Sequence, residues 1–319
     1  HNMVYKNWSS EWLNCYVKPQ VKERTYAKYC HLMNRHILPE LGDYHLDELS
    51  TRVLQQFVNK LRDDGFASAT IHGMISLLKL SLIKAVELEI VDKEYTTYLS
   101  RPKIQTKRVE CFSIQEQRKI ENYASILERP KYFGILLSLY TGMRLGELLA
   151  LEWSDIDIRK NIIKVTKSCH DSWKNHGYVK VIDTPKTSNS VRIIPMPKAL
   201  IPYFKIMRRQ AVTKFVIPGR TPYGAEVRTY QRFFESMLRE IGVAHKRIIL
   251  FNAKSLTLRH TFATRALECG MDVKTLSEIL GHASPMITLN RYAHSMFDHK
   301  SSMMNRLGRL LVRTQDNFN

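Results

Sequence analysis

Two arginines, a histidine and a tyrosine occur in settings that suit phosphate chemistry. Arg144 stands in Thr141-Gly142-Met143-Arg144-Leu145-Gly146-Glu147-Leu148, Arg259 in Leu258-Arg259-His260 and His282 in Leu280-Gly281-His282, and Tyr292 follows. Arginine is a fixed cation whose fork reaches two non-bridging phosphate oxygens at once, and a tyrosine hydroxyl is a nucleophile that holds a phosphate covalently. In this order the residues predict a phosphodiester site with no nucleotide-cradling loop and no metal cage. Arg144 follows a glycine turn at an expected helix start, where backbone N–H groups also favour an anion. Arg259 adjoins an apolar face of Leu258, Phe262 and Ala266, and a cation there needs a partner. Taken singly, each residue also has a plainer reading, as a surface arginine in a turn, an internal salt bridge, a loop histidine or a packed tyrosine.

The elements that must position these residues show in the hydrophobic rhythm. From Trp8 to about Tyr98 apolar residues recur at helical spacing, as in Leu54, Phe57, Val58 and Leu61, with turns at 39–43 and 63–65 and Ser68 as the expected cap of the longest run. This half reads as a helical domain, 4–99. The basic stretch Arg101-Pro102-Lys103-Ile104-Gln105-Thr106-Lys107-Arg108 reads as a linker within 100–111. Helices resume from Ser113 into a domain expected over 112–300, with 301–319 as a tail. Ile156, Ile158, Ile162, Ile163, Val165, Val179, Val181, Val191, Ile193 and Ile194 predict one small antiparallel sheet, with Lys186 in a hairpin turn at 185–190. Later, Asp272 is the expected cap of a helix ending at Gly281, and Ser284-Pro285 opens a helix that carries Tyr292 two turns on.

Composition narrows the partners. The 319 residues, 44% hydrophobic, suffice for two cores, and 49 Lys+Arg against 30 Asp+Glu leave a formal charge of +19 that calls for a polyanion. No apolar run near the roughly 20 residues needed to span a bilayer is expected, so no membrane role is. Cys15, Cys30, Cys111, Cys169 and Cys269 are odd in number and scattered, which fits reduced thiols of a cytoplasm rather than disulfides or a zinc site. His1-Asn2-Met3 reads as a scar of expression ahead of the native segment.

The ordered set, over about the last two-thirds of the chain, resembles the tyrosine recombinase (phage-type integrase) family of phages and conjugative transposons. The resemblance implies a multidomain α + α/β protein: an N-terminal helical core-binding (SAM-like) domain and a mostly helical catalytic domain with a small antiparallel sheet, closing as a C-shaped clamp on duplex DNA. It implies Tyr292 as nucleophile, Arg144, Arg259 and His282 on the phosphate, and Lys186 as general acid toward the departing 5′ oxygen. Glu147 and His260 are expected to support them. Leu256 departs from the family pattern, which has a histidine three residues before the second arginine, and a leucine cannot accept the tyrosine's proton. DNA contacts are expected from Thr70, His72, Lys79, Lys103, Lys107, Arg108 and Arg192. No cofactor is expected. The family further implies attachment-site DNA, a homo-tetramer with a Holliday junction, an accessory excision factor, an arm-binding domain upstream and a bacterial, nucleoid-associated location. A type IB topoisomerase-like enzyme and a catalytically silent DNA-binding protein are the alternatives.

Overall fold

The computed structural model describes residues 3–104, 110–174, 177–183, 191–220, 224–243, 254–292 and 297–315. The chain divides into two compact units, His1–Lys107 and Arg108–Asn319.

In the first unit the helical rhythm becomes α1 (Tyr5–Glu11), which runs on through a wider turn at Trp12–Val17, then α2 (Glu23–Leu32), α3 (Leu38–Leu41), α4 (Thr51–Asp63) and α5 (Ser68–Glu87). α4 buries Leu54, Phe57, Val58 and Leu61, because 3.6 residues per turn bring that spacing to one face. Ser68 is the first helical residue of α5 rather than its cap, and Ala67 holds the cap position with no side-chain bond. Contrary to expectation, α5 is long and apolar enough by length and composition to cross a bilayer. Its apolar residues Ile71, Met74, Ile75 and Leu78 pack into this unit's core with Tyr5 and Trp8. Ser81 satisfies both aromatic polar ends, sharing a 2.8 Å hydrogen bond with the Tyr5 hydroxyl and accepting Trp8 Nε1 on its carbonyl at 3.1 Å.

The second unit opens with α6 (Ile114–Ile126), α7 (Pro130–Thr141) and α8 (Leu145–Ala150). Gly142 ends α7 at φ +64°, and a Cβ there would run into Phe262, so a glycine is required twice over. Strands β1 (Ile156–Asp157), β2 (Ile162–Val165), β3 (Ser168–Lys174), β4 (Gly177–Asp183) and β5 (Arg192–Pro195) follow. They are succeeded by α9 (Ile201–Arg209), α10 (Val227–Glu240), α11 (Lys254–Glu268), α12 (Val273–Leu280), α13 (Pro285–Tyr292) and α14 (Phe297–Gln315). α11 packs on α7 and α12 on α13.

The expectation of one sheet is corrected. β1, β2 and β5 form one antiparallel sheet, with buried Ile163 opposite buried Ile194, while among the described residues β3 and β4 pair only with each other. The hairpin turn expected at 185–190 lies outside the described residues. β3, Ser-Cys-His-Asp-Ser-Trp-Lys, lacks the β-branched signature, and its pairing with β4 is a tertiary choice that its own residues do not announce. Lys186 lies outside the described residues, and the expected tail boundary at 300/301 falls inside continuous α14.

Candidate active site

The end of α12 gathers the site. Asp272 caps its start, accepting the Thr275 amide at 2.9 Å, and Gly281 closes it at φ +64°. A helix C-terminus leaves carbonyls without intrahelical donors and is the negative pole of the helix dipole, so it draws cations. Three successive carbonyls here each take a different arginine: Ile279 from Arg192 Nε at 2.5 Å, Leu280 from Arg259 Nη2 at 2.8 Å, and Gly281 from Arg144 Nη2 at 3.2 Å.

Arg259 is 2% exposed, and its Nη1 donates to the Gly142 carbonyl at 2.9 Å. Among the described residues no carboxylate pairs with it. Burial, helped by the charge of Arg144, draws its pKa down to about 9, which still leaves it a cation at neutral pH. Arg144 keeps 40% of its side chain exposed while Nη1 donates to Glu147 Oε1 at 2.8 Å. Glu147 Oε2 accepts the Arg144 backbone N–H, also at 2.8 Å, so the amide expected to attract an anion already serves this carboxylate. Arg192 forks onto both Glu147 oxygens at 3.0 and 2.8 Å. Burial alone would raise the Glu147 pKa, but the hydrogen bonds and charge of Arg192, with the charge of Arg144, outweigh it and hold the carboxyl below its ordinary range.

His282 presents Nε2 to Arg259 Nη2 at 2.9 Å and Nδ1 to the Thr288 hydroxyl at 2.7 Å. Burial first, then the charges of Arg259 and Arg144, lower its pKa to about 3, so the ring is neutral. Because a guanidinium only donates, Nε2 accepts and Nδ1 carries the hydrogen. As it stands His282 is therefore an acceptor facing Arg259, not the donor toward phosphate that the sequence suggests.

Arg144, Arg259, His282, Arg291, Ile287 and Leu256 line a cavity of about 310 Å³. Leu256, 38% exposed, faces this cationic space and not an apolar pocket. Tyr292 does not line it. Its ring, 1% exposed, packs among Ala263, Leu267, Leu276 and Leu280, and its hydroxyl shares a 2.6 Å hydrogen bond with His260 Nδ1. Burial raises the Tyr292 pKa against the pull of Arg259 and Arg291, and burial lowers that of His260 to about 4, so the pair is neutral.

Residues 112–299 match the model of the phage integrase family, and residues 4–62 match that of the phage integrase N-terminal SAM-like domain. The chain belongs to the phage integrase family. It is thus a tyrosine recombinase, an enzyme of site-specific DNA strand exchange, with a SAM-like helical domain ahead of a mostly helical catalytic domain holding small antiparallel sheets. A XerC-like tyrosine recombinase of Caldanaerobacter subterraneus subsp. tengcongensis is 30% identical over 94% of this chain and 82% of that protein. In fold the chain is similar to the Tn1549 transposon integrase solved with transposon right-end DNA, at TM-score 0.80, 22% identity, and coverage of 96% of this chain and 100% of that one. It is also similar to a lambda integrase tetramer bound to a Holliday junction, at TM-score 0.67, 18% identity, and coverage of 91% and 78%.

Within this phage integrase family member, the cavity assembles Arg144, Arg259 and His282 but leaves Tyr292 outside it. Arg192, its side chain 6% exposed, faces Glu147 and Ile279, so internal contacts stand where a DNA contact is expected. His72 shares a 2.8 Å hydrogen bond with the Pro102 carbonyl, Lys79 donates to the Thr97 hydroxyl at 3.3 Å, and Thr70 and Lys103 are exposed. Lys107 and Arg108 lie outside the described residues. The sequence reading missed Arg291 and Thr288. Helical spacing on α13 held the signal: Ile287 and Arg291 share one face and Thr288 and Tyr292 the next, so both faces cannot meet the cavity together.

Proposed function

We propose that a scissile phosphate seats in the cavity, that the Tyr292 hydroxyl attacks it, and that the products are a 3′-phosphotyrosyl link and a free 5′-hydroxyl. The observation that supports this most is Arg259, a buried guanidinium held by two carbonyls and an imidazole and bonded to no carboxylate among the described residues. A phosphodiester supplies the missing negative charge, and the attraction grows as charge builds in the transition state. Arg144 takes a second oxygen. The phenolic proton passes to solvent as the new P–O bond forms, the P–O bond to the 5′ oxygen breaks, and Lys186 protonates that departing oxygen, which would otherwise leave as a strongly basic alkoxide. The hydroxyl of a partner strand reverses the step. One phosphodiester replaces another, so bond energy is retained without ATP. Because Tyr292 is 1% exposed and its neighbour Arg291 faces the cavity, attack requires the end of α13 to carry the hydroxyl out of its bond with His260.

The substrate on this reading is duplex DNA at the attachment sites of a mobile element, integrated or excised by four copies of the chain through a Holliday junction, with an accessory factor biasing excision in the bacterial nucleoid. Thr70 and Lys103 contribute phosphate contacts. α14, on which Met304 is 65% and Leu307 48% exposed, links neighbouring copies. The test is a denaturing gel for covalent complex on nicked duplexes carrying candidate element ends. The wild-type chain should form it, and Tyr292→Phe should bind the same duplex without forming it. Covalent product from Tyr292→Phe would move the nucleophile elsewhere.

A further inference from the structure

Arg192 opens β5 and its side chain is 6% exposed, yet it touches both parts of the arginine cluster. Its fork answers both oxygens of Glu147 at 3.0 and 2.8 Å, and its Nε holds the Ile279 carbonyl at 2.5 Å, one turn of chain before His282. It also lies flat against Gly281, where a Cβ would come within 3.0 Å of Arg192 Cδ and Nη1. Gly281 is thus required by its φ of +64° and by the guanidinium packed on it. Glu147, 3% exposed in its side chain, is shared, because the guanidinium of Arg144 reaches only Oε1 through Nη1 and sends Nη2 to Gly281, leaving Oε2 only the Arg144 backbone N–H besides Arg192. Without Arg192 this buried carboxylate would keep one cation, and the best remaining arrangement would draw the whole fork of Arg144 onto it and away from the cavity.

We propose that Arg192 is a positioning residue for strand cleavage: it satisfies Glu147 so that Arg144 stays turned to the cavity, and it fixes the α12 end from which His282 is presented. The inference rests on the assignment of Arg144 and Tyr292 to cleavage. Lysine cannot serve in its place, since one ammonium cannot fork onto both Glu147 oxygens and hold the Ile279 carbonyl at the same time.

The experiment uses the full chain and the nicked duplex on which the wild type forms its covalent complex, with the scissile phosphate either native or replaced by a neutral methylphosphonate. Arg192→Lys should bind the duplex as the wild type does and form covalent complex roughly 100-fold more slowly, the order expected when a reacting group is misplaced by about 1 Å. Glu147→Gln should lose a similar factor, and the double variant no more than either single one, because both act through one contact. On the methylphosphonate, which asks less of Arg144, the gap between wild type and Arg192→Lys should shrink. Equal slowing on both substrates, additive losses, or wild-type rates from Arg192→Lys would each overturn the proposal. Should Arg192→Lys not fold, the neutral pair Arg192→Gln with Glu147→Gln carries the same comparison. Failure of the wild type to form any tyrosine-linked complex would overturn the cleavage assignment itself, and this inference with it.

Discussion

Tyr292 and His260 hold each other through a 2.6 Å hydrogen bond inside the second unit, with their rings edge-on at 5.7 Å, while Arg291 faces the cavity in the tyrosine's stead. Adjacent residues on α11 therefore do opposite things. Arg259 points to the cavity and His260 to the tyrosine, as about 100° of rotation per residue requires.

Breaking that bond is the first expected outcome. His260→Phe keeps a ring in the space but offers no partner to the phenol, so the buried hydroxyl loses its reason to stay. Covalent-complex formation should quicken by about fivefold, the worth of one hydrogen bond near 1 kcal/mol, and thermal stability should drop by a similar energy. Single-turnover trapping beside a thermal melt reads both. A slower variant that still folds would instead make His260 the acceptor of the tyrosine's proton.

Leu256 offers a gain of function. It is 38% exposed on the cavity wall, so Leu256→His places an imidazole in open, polar space at little cost to folding. The cleavage rate should rise, with about 10²-fold as the lower scale of general base catalysis, and most clearly near neutral pH where imidazole is unprotonated. An unchanged rate would mean that proton removal from Tyr292 does not limit the reaction.

Acid should destabilise the fold through its buried histidines. The folded pKa of His260 is lowered from 6.5 to about 4, so as pH falls below 6.5 the unfolded chain binds the proton first, and stability present above 6.5 is lost on the way to pH 4. The shift corresponds to roughly 3 kcal/mol for a side chain this buried, and His282, lowered to about 3, acts in the same sense. Melting temperature should fall between pH 7 and 4.5, and less steeply in His260→Phe. Parallel pH curves would assign the acid loss to other groups.

Deleting residues from Ser301 onward should leave DNA binding and cleavage at a single site largely intact while reducing assembly on paired sites. The exposed Met304 and Leu307 motivate this. Light scattering of the DNA complexes, with trapping as the control, separates the two effects. A truncated chain that unfolds would show that α14 packs on its own unit.

Sequence alone determined the types and order of the site residues, the helical character of the first unit and the glycine at each turn, because these follow from side-chain chemistry and from contacts within a few residues. Leu54, Phe57, Val58 and Leu61 announce one buried face of α4, and Gly142 and Gly281 announce helix ends, wherever the helices later pack. Tertiary structure alone decided which partners meet. Arg192 reads as a surface cation until Glu147, 45 residues earlier, turns it inward, and β3 is no strand by composition until β4 pairs with it. Tyr292 reads as a nucleophile ready for use, yet the packing of α13 on α12 turns it to His260, 32 residues back along the chain. Each of these is a choice among distant partners, set by burial and by the demand that every buried charge and hydroxyl be answered, and no local pattern encodes it.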